Sequence, residues 1–178
     1  IGLGIPAEPL FRSSILSQQN SHRKLFVVYW TEPDHTMHEQ GVNTQDVQQL
    51  LQNINDRIAE MSRQLKDTIL IISADHGMLN NEMVMLNDYP DVCALLQRPP
   101  TLENRFVNFF IKDGKSAEFS KLFEKYFSKD FVLFSKEELL ASGILGSGKP
   151  HPFVNEALGE FQAIAITKRS LHYTTGER

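Results

Sequence analysis

Two apolar, β-prone runs, Leu25-Phe26-Val27-Val28-Tyr29-Trp30 and Ile69-Leu70-Ile71-Ile72, constrain this chain more than anything else in it. A long stretch between them repeats apolar residues at three- and four-residue steps: Val47, Leu50, Leu51, Ile54, Ile58, Met61 and Leu65. That spacing predicts an amphipathic helix from Thr44, a plausible N-cap, to about Lys66. Strand, helix, strand is the result. Both strands are apolar throughout rather than alternating, as expected of parallel strands covered on both faces. A right-handed crossover brings them side by side with their carboxyl ends pointing the same way.

Each run ends in the same kind of residues. Glu32-Pro33-Asp34-His35-Thr36-Met37-His38 follows the first and Ser73-Ala74-Asp75-His76-Gly77 the second. Ligands bind outside the carboxyl ends of strands in open α/β sheets. Asp34, His38, Asp75 and His76 are therefore expected to converge, although about 40 residues separate the pairs. Asp oxygen and His nitrogen suit borderline divalent ions, zinc above all. Taken alone, Asp34 reads equally well as a turn residue and His38 as a solvated loop residue. Asp75-His76-Gly77 is harder to dismiss, because a buried strand seldom ends directly in an unpaired Asp. Glu32 and Glu39 are candidate outer-shell partners for the His ligands. His35, Lys149 and His151 are weaker candidates for substrate contact.

Composition narrows the partners. With 178 residues and a net charge of −4, the chain is long enough for a substantial core and carries no basic stripe, so duplex nucleic acid is not an expected partner. The apolar runs are strand-length, too short for a membrane-spanning segment. One cysteine, Cys93, excludes an internal disulfide and a Cys-rich zinc knuckle. No signal peptide is visible. The start at Ile1 rather than Met suggests that an upstream part has been removed, and the compartment stays open, with the cytoplasm slightly favoured.

A helix is predicted over Pro9–Gln19, another over Asp88–Leu96, a strand over Arg105–Lys112, a helix over Ala117–Phe127 and a strand over Phe131–Phe134. Ser135 with Glu138 forms a capping-box pattern that opens a helix to Ala141. Phe161–Lys168 reads as a further strand. Residues 1–80 are thus expected to be the metal-motif part of an α/β core, 81–159 an inserted α+β unit, and 160–178 a return to the core. Gly143 to Lys149 has the glycine and lysine spacing of a phosphate-cradling loop. It is rejected, because Pro150 replaces the metal-binding Ser or Thr and a helix, not a buried strand, precedes it. His22 and His172 show no partner pattern and are expected at the surface. Phe106, Phe109, Phe110, Phe119, Phe123 and Phe127 read as core.

Tyr29-x-x-Glu32-Pro33-Asp34-x-x-x-His38 and Ser73-Ala74-Asp75-His76-Gly77-Met78 resemble motifs of the alkaline phosphatase superfamily, most closely its type I phosphodiesterase/nucleotide pyrophosphatase branch. The resemblance covers about residues 25–78. It implies a three-layer α/β sandwich with a mostly parallel sheet, two divalent ions (zinc first, manganese second) and a small phosphate-ester or nucleotide substrate. Asp34 and His38 would bind one ion, Asp75 and His76 the other. The family's upstream Asp and its Thr or Ser nucleophile have no counterpart in residues 1–24, and its further, downstream His-Gly has none before the chain ends at Tyr173–Arg178. The resemblance therefore implies a fragment of a hydrolase, inactive by itself. A phosphomonoesterase, sulfatase or mutase of the same superfamily is the alternative enzyme, and a metal-free α/β binding module the alternative of another class.

Overall fold

In a computed structural model the described residues are 22–175 together with Ile15. The helix predicted over Pro9–Gln19 lies outside them apart from Ile15, which is helical. The chain divides into two compact units, Ile1–Asn80 and Asn81–Arg178.

Besides Ile15, the described residues of the first unit form helices α1 (Asp34–Gln40) and α2 (Gln45–Gln64). Helix α2 forms where the periodicity places it, and Thr44 caps it by accepting the Val47 N–H through its hydroxyl. Val47 and Met61 on its apolar stripe are buried.

The two runs expected as strands differ from that expectation. Residues 25–30 and 69–73 form no ladder with any described residue. Their side chains alternate in exposure. Leu25, Val27 and Tyr29 are 88, 86 and 82% exposed, against 45% for Phe26 and Val28; Ile69 and Ile71 are 88 and 83%, against 40% for Leu70. Such period-two coverage is that of pleated backbone. What is missing is the neighbour: a strand is stabilised by partners on its edges and cover on its faces, and here one face is half covered.

In the second unit β2 (Thr101–Glu103), β3 (Phe106–Phe109), β4 (Phe131–Ser135) and β5 (Phe161–Ala165) make an antiparallel sheet in the order β2-β3-β5-β4. Phe161–Ala165, expected as the strand returning to the core, is central in this sheet, bonded to β3 and β4. A separate parallel pair joins β1 (Glu82–Met85) to β6 (Arg169–His172). Parallel pairing among the described residues is confined to these two strands, and the larger sheet is antiparallel.

The reason this unit closes is readable in α4 (Ser116–Phe127). Phe119, Phe123 and Phe127, four apart, lie on one stripe and are all buried. The sheet answers with Val107, Phe109, Phe131 and Ala163, which share one face through the registers Val107↔Ala163 and Phe131↔Ala165. Phe123 alone makes ring contacts with Phe109, Phe119, Phe127 and Phe131. Each buried phenylalanine contributes about 1.5–3 kcal/mol by transfer.

The opposite sheet face holds a buried polar cluster. Asn108, directly across from Gln162, accepts from the Gly159 N–H and from Gln162 Nε2, and donates to Thr101 Oγ1 and the Ala157 carbonyl. Gly159 has to be glycine here, because a Cβ would collide with the Phe109 carbonyl. Gln162 Oε1 is buried without a partner.

Helix α5 (Lys136–Ser142) begins at the expected capping box, with Ser135 Oγ accepting from Glu138 N–H and the Glu138 carboxylate accepting from Ser135 N–H. Those bonds hold the Glu138 carboxyl below its ordinary pKa. Instead of one helix over Asp88–Leu96, a 3-10 turn (Leu86–Asp88) leads into the short α3 (Pro90–Cys93). Pro90 lacks an N–H and its ring excludes the preceding turn, so the helix has to restart there. A short α6 (Val154–Ala157) precedes β5.

Candidate metal centre

Asp34 and His38 sit on a helix rather than in the loop expected for them. Seven residues form a marginal helix in isolation, and here local chemistry holds them. Pro33, at the N-cap, has no capping side chain. Glu32 takes over: its Oε2 accepts the Thr36 N–H at 3.2 Å and the Thr36 hydroxyl at 2.7 Å. A carboxylate beside the first turn also complements the helix dipole. The far end stops at Gly41, whose φ of +79° favours glycine and whose N–H returns to the Met37 carbonyl at 2.9 Å.

The helix then does what a loop does not. It puts residues four apart on one face, and His38 Nε2 stands 3.4 Å from Asp34 Oδ1, with both side chains at least half exposed. His35 and Glu39 repeat the spacing one residue on, at 3.5 Å. Of the two carboxylates expected as outer-shell partners of the His ligands, Glu32 holds Thr36 and Glu39 faces His35.

Asp75 and His76 are adjacent and exposed. Asp75 Oδ1 accepts the His76 N–H at 3.0 Å, and His76 Nδ1 lies 3.1 Å from the Gly77 carbonyl. That leaves Nε2 as the ring nitrogen facing Asp75, 3.8 Å away. Among the described residues no cluster of three or more His, Cys, Asp or Glu side chains is placed to hold a metal ion. The structure therefore assembles each Asp/His pair but not the four residues around one point.

One side chain does tie the two segments together. Asn80 Oδ1 accepts the Val42 N–H at 2.9 Å, linking the chain just past α1 to the chain just past His76.

The remaining candidates divide. Lys149 and His151 lie exposed in the second unit, where His151 Nδ1 accepts the Phe153 N–H at 3.2 Å. The Gly143–Lys149 loop follows α5, with Gly143 and Gly146 at φ +74° and +110°. It is a turn behind a helix, as the rejection of a phosphate loop requires. His172 is not the surface residue expected. It is partly buried on β6, with Nε2 at 2.9 Å from Ser170 Oγ and Nδ1 at 3.2 Å from Asn104 Nδ2, and burial lowers its pKa. A signal for it existed in Arg169-Ser170-Leu171-His172, where the polar residues at i and i+2 of an alternating strand share a face.

The family model for type I phosphodiesterase / nucleotide pyrophosphatase matches residues 8–126, more than half of the chain. The chain belongs to that family. No curated protein matches it. Among solved structures it is similar to murine ectonucleotide pyrophosphatase / phosphodiesterase 5, with 17% identity and a TM-score of 0.68 over 96% of this chain and 46% of that one. An inactive variant of the same murine protein in complex with AMP gives 18% identity and a TM-score of 0.65 at the same coverage. The chain thus spans less than half the length of these structures. At such identity the likeness shows a common α/β fold, the alkaline-phosphatase-like fold of this family.

Proposed function

We propose that this chain is part of a two-metal hydrolase acting on phosphodiester or pyrophosphate bonds of nucleotides. In this reading Asp34 and His38 hold one divalent ion, and Asp75 and His76 the other. Zinc is the first choice and manganese the second. In this reading the chain is inactive by itself, because the family's nucleophile and further ligands have no match among its motifs.

The observation that supports this most is the 3.4 Å between His38 Nε2 and Asp34 Oδ1. Two donors about 2.0–2.1 Å from a tetrahedral zinc stand about 3.4 Å apart, so the pair fits one ion without rearrangement. The 3.8 Å of the second pair is wider and closes by a small side-chain rotation. Each pair gives two donors where zinc takes four, so the other ligands come from elsewhere. The bare faces of residues 25–29 and 69–72 support the fragment reading too, since such apolar strands are expected inside a larger sheet. Bound in pairs, the ions would stabilise the attacking and leaving oxygens at phosphorus. The role of this chain's own residues is to hold and orient them. AMP in the murine relative's complex supports a nucleotide as the substrate class.

Calorimetric titration of the chain with Zn²⁺ and Mn²⁺ tests the ligands. Binding should be lost or strongly weakened in Asp75→Ala, and identical heats in both proteins would sink the site. The purified chain saturated with zinc should turn over no p-nitrophenyl phosphodiester. For the longer protein, preference for a monoester or a sulfate over the diester would favour the other enzymes of the superfamily.

A further inference from the structure

We propose that Asn80 is a positioning residue that couples the Asp34/His38 pair to the Asp75/His76 pair; the role rests on the two-metal reading above. Val42 lies four residues beyond His38, and Asn80 lies four beyond His76. The bond from the Val42 N–H to Asn80 Oδ1 therefore joins equivalent points behind the two motifs. Four residues of chain reach at most about 14 Å, so neither histidine's Cα can stray farther than that from the junction.

The junction is fitted as well as bonded. Gly41, which ends α1, faces the Asn80 amide so closely that a Cβ there would stand 2.8 Å from Asn80 Oδ1. Glycine at this position meets two demands at once, the φ of +79° and the approach of the amide. The last turn of α1 carries His38, and Gly41 bonds back into that helix at Met37. A displacement of the 75–80 segment thus reaches His38 through one hydrogen bond, at Val42, and a single helical turn. Asn80 is exposed, and an exposed hydrogen bond adds little to global stability. Its consequence is expected in how the pairs are placed relative to each other.

The test is a zinc titration of the 178-residue chain carrying Asp34→Ala, Asp75→Ala or both, in wild-type and Asn80→Ala backgrounds. In the wild-type background the two substitutions should be non-additive, since each pair influences the other. With Asn80→Ala, affinity should fall about tenfold, the scale of a lost outer-shell partner, and the two substitutions should become additive. Asn80→Asp keeps the acceptor and should restore most of the affinity. Gly41→Ala, which crowds the same junction from the other side, should reproduce the loss. Equal coupling in both backgrounds would overturn the role of Asn80 while leaving the metal pairs standing. If neither Asp34→Ala nor Asp75→Ala alters zinc binding in the wild-type background, the two-metal reading fails, and the coupling role fails with it.

Discussion

The two units of this chain handle their apolar residues in opposite ways. In the second, every ring of the Phe119–Phe123–Phe127 stripe is buried against the sheet. In the first, Leu25, Val27, Tyr29, Ile69 and Ile71 stand more than 80% exposed. The difference is one of contact range. The second unit finds strand partners, helix cover and side-chain mates within its own residues. The first has the hydrophobic pattern of buried strands, but its described residues do not supply the neighbours that would bury them. It is also the unit that carries the two Asp/His pairs.

Substitutions can break or sharpen that contrast. The largest effect is expected for Phe123→Ala, which empties a site that is 1% exposed and removes four ring contacts. It should cost about 3–5 kcal/mol in urea unfolding followed by a signal from the second unit. A cost below 1 kcal/mol would mean that the aromatic core is loosely packed.

A smaller loss is expected for Glu32→Ala, which leaves the Thr36 N–H and hydroxyl without their acceptor. Removing a helix cap costs about 1 kcal/mol, and the backbone chemical shifts of residues 34–37 should lose their helical values. Unchanged shifts would show that α1 does not depend on this clasp. Glu32→Gln keeps an acceptor oxygen and should retain most of the helix.

His172 gives the second unit a pH dependence. Burial lowers its folded-state pKa, so the unfolded chain takes up a proton first as pH falls. The stability contributed by the neutral ring is complete above the unfolded value of about 6.5 and is lost as pH falls through the lower folded value. The urea midpoint of the wild type should decline across that window more than that of His172→Asn. Parallel profiles would show that the ring is not shielded from water.

Smallest of all should be Ile71→Thr, within about 0.5 kcal/mol, since the side chain is 83% exposed. A loss above about 2 kcal/mol would show that this segment is buried after all, and would erase the contrast between the units.

Legibility in the sequence follows the same division. Periodicity located α2 and α4, the capping box located the start of α5, and short apolar runs marked β4 and β5. These depend on neighbours within a few positions. The 25–30 and 69–73 runs are as apolar as any strand, yet ladder formation depends on partners far along the chain, and a pattern does not show whether they are present. Helix α1 went unread for a different reason. Its residues are polar and its cap is Glu32, one position ahead of the usual N-cap, so no hydrophobic period announced it. His172 was missed because partners such as Asn104, 68 residues away, cannot be seen in local spacing.

The sequence by itself determined the donor chemistry and its grouping: Asp34 with His38 at four-residue spacing, and Asp75 beside His76. It also determined helices α2, α4 and α5, because i to i+4 contacts are local. Only the tertiary structure decided that α1 turns the first pair into a 3.4 Å donor set, that Asn80 reaches across 38 positions to the end of that helix, and that the second unit closes its core while the first leaves apolar faces bare. Those outcomes depend on which distant groups meet, and the free energy of such meetings is set by burial and hydrogen bonds that no stretch of sequence contains alone.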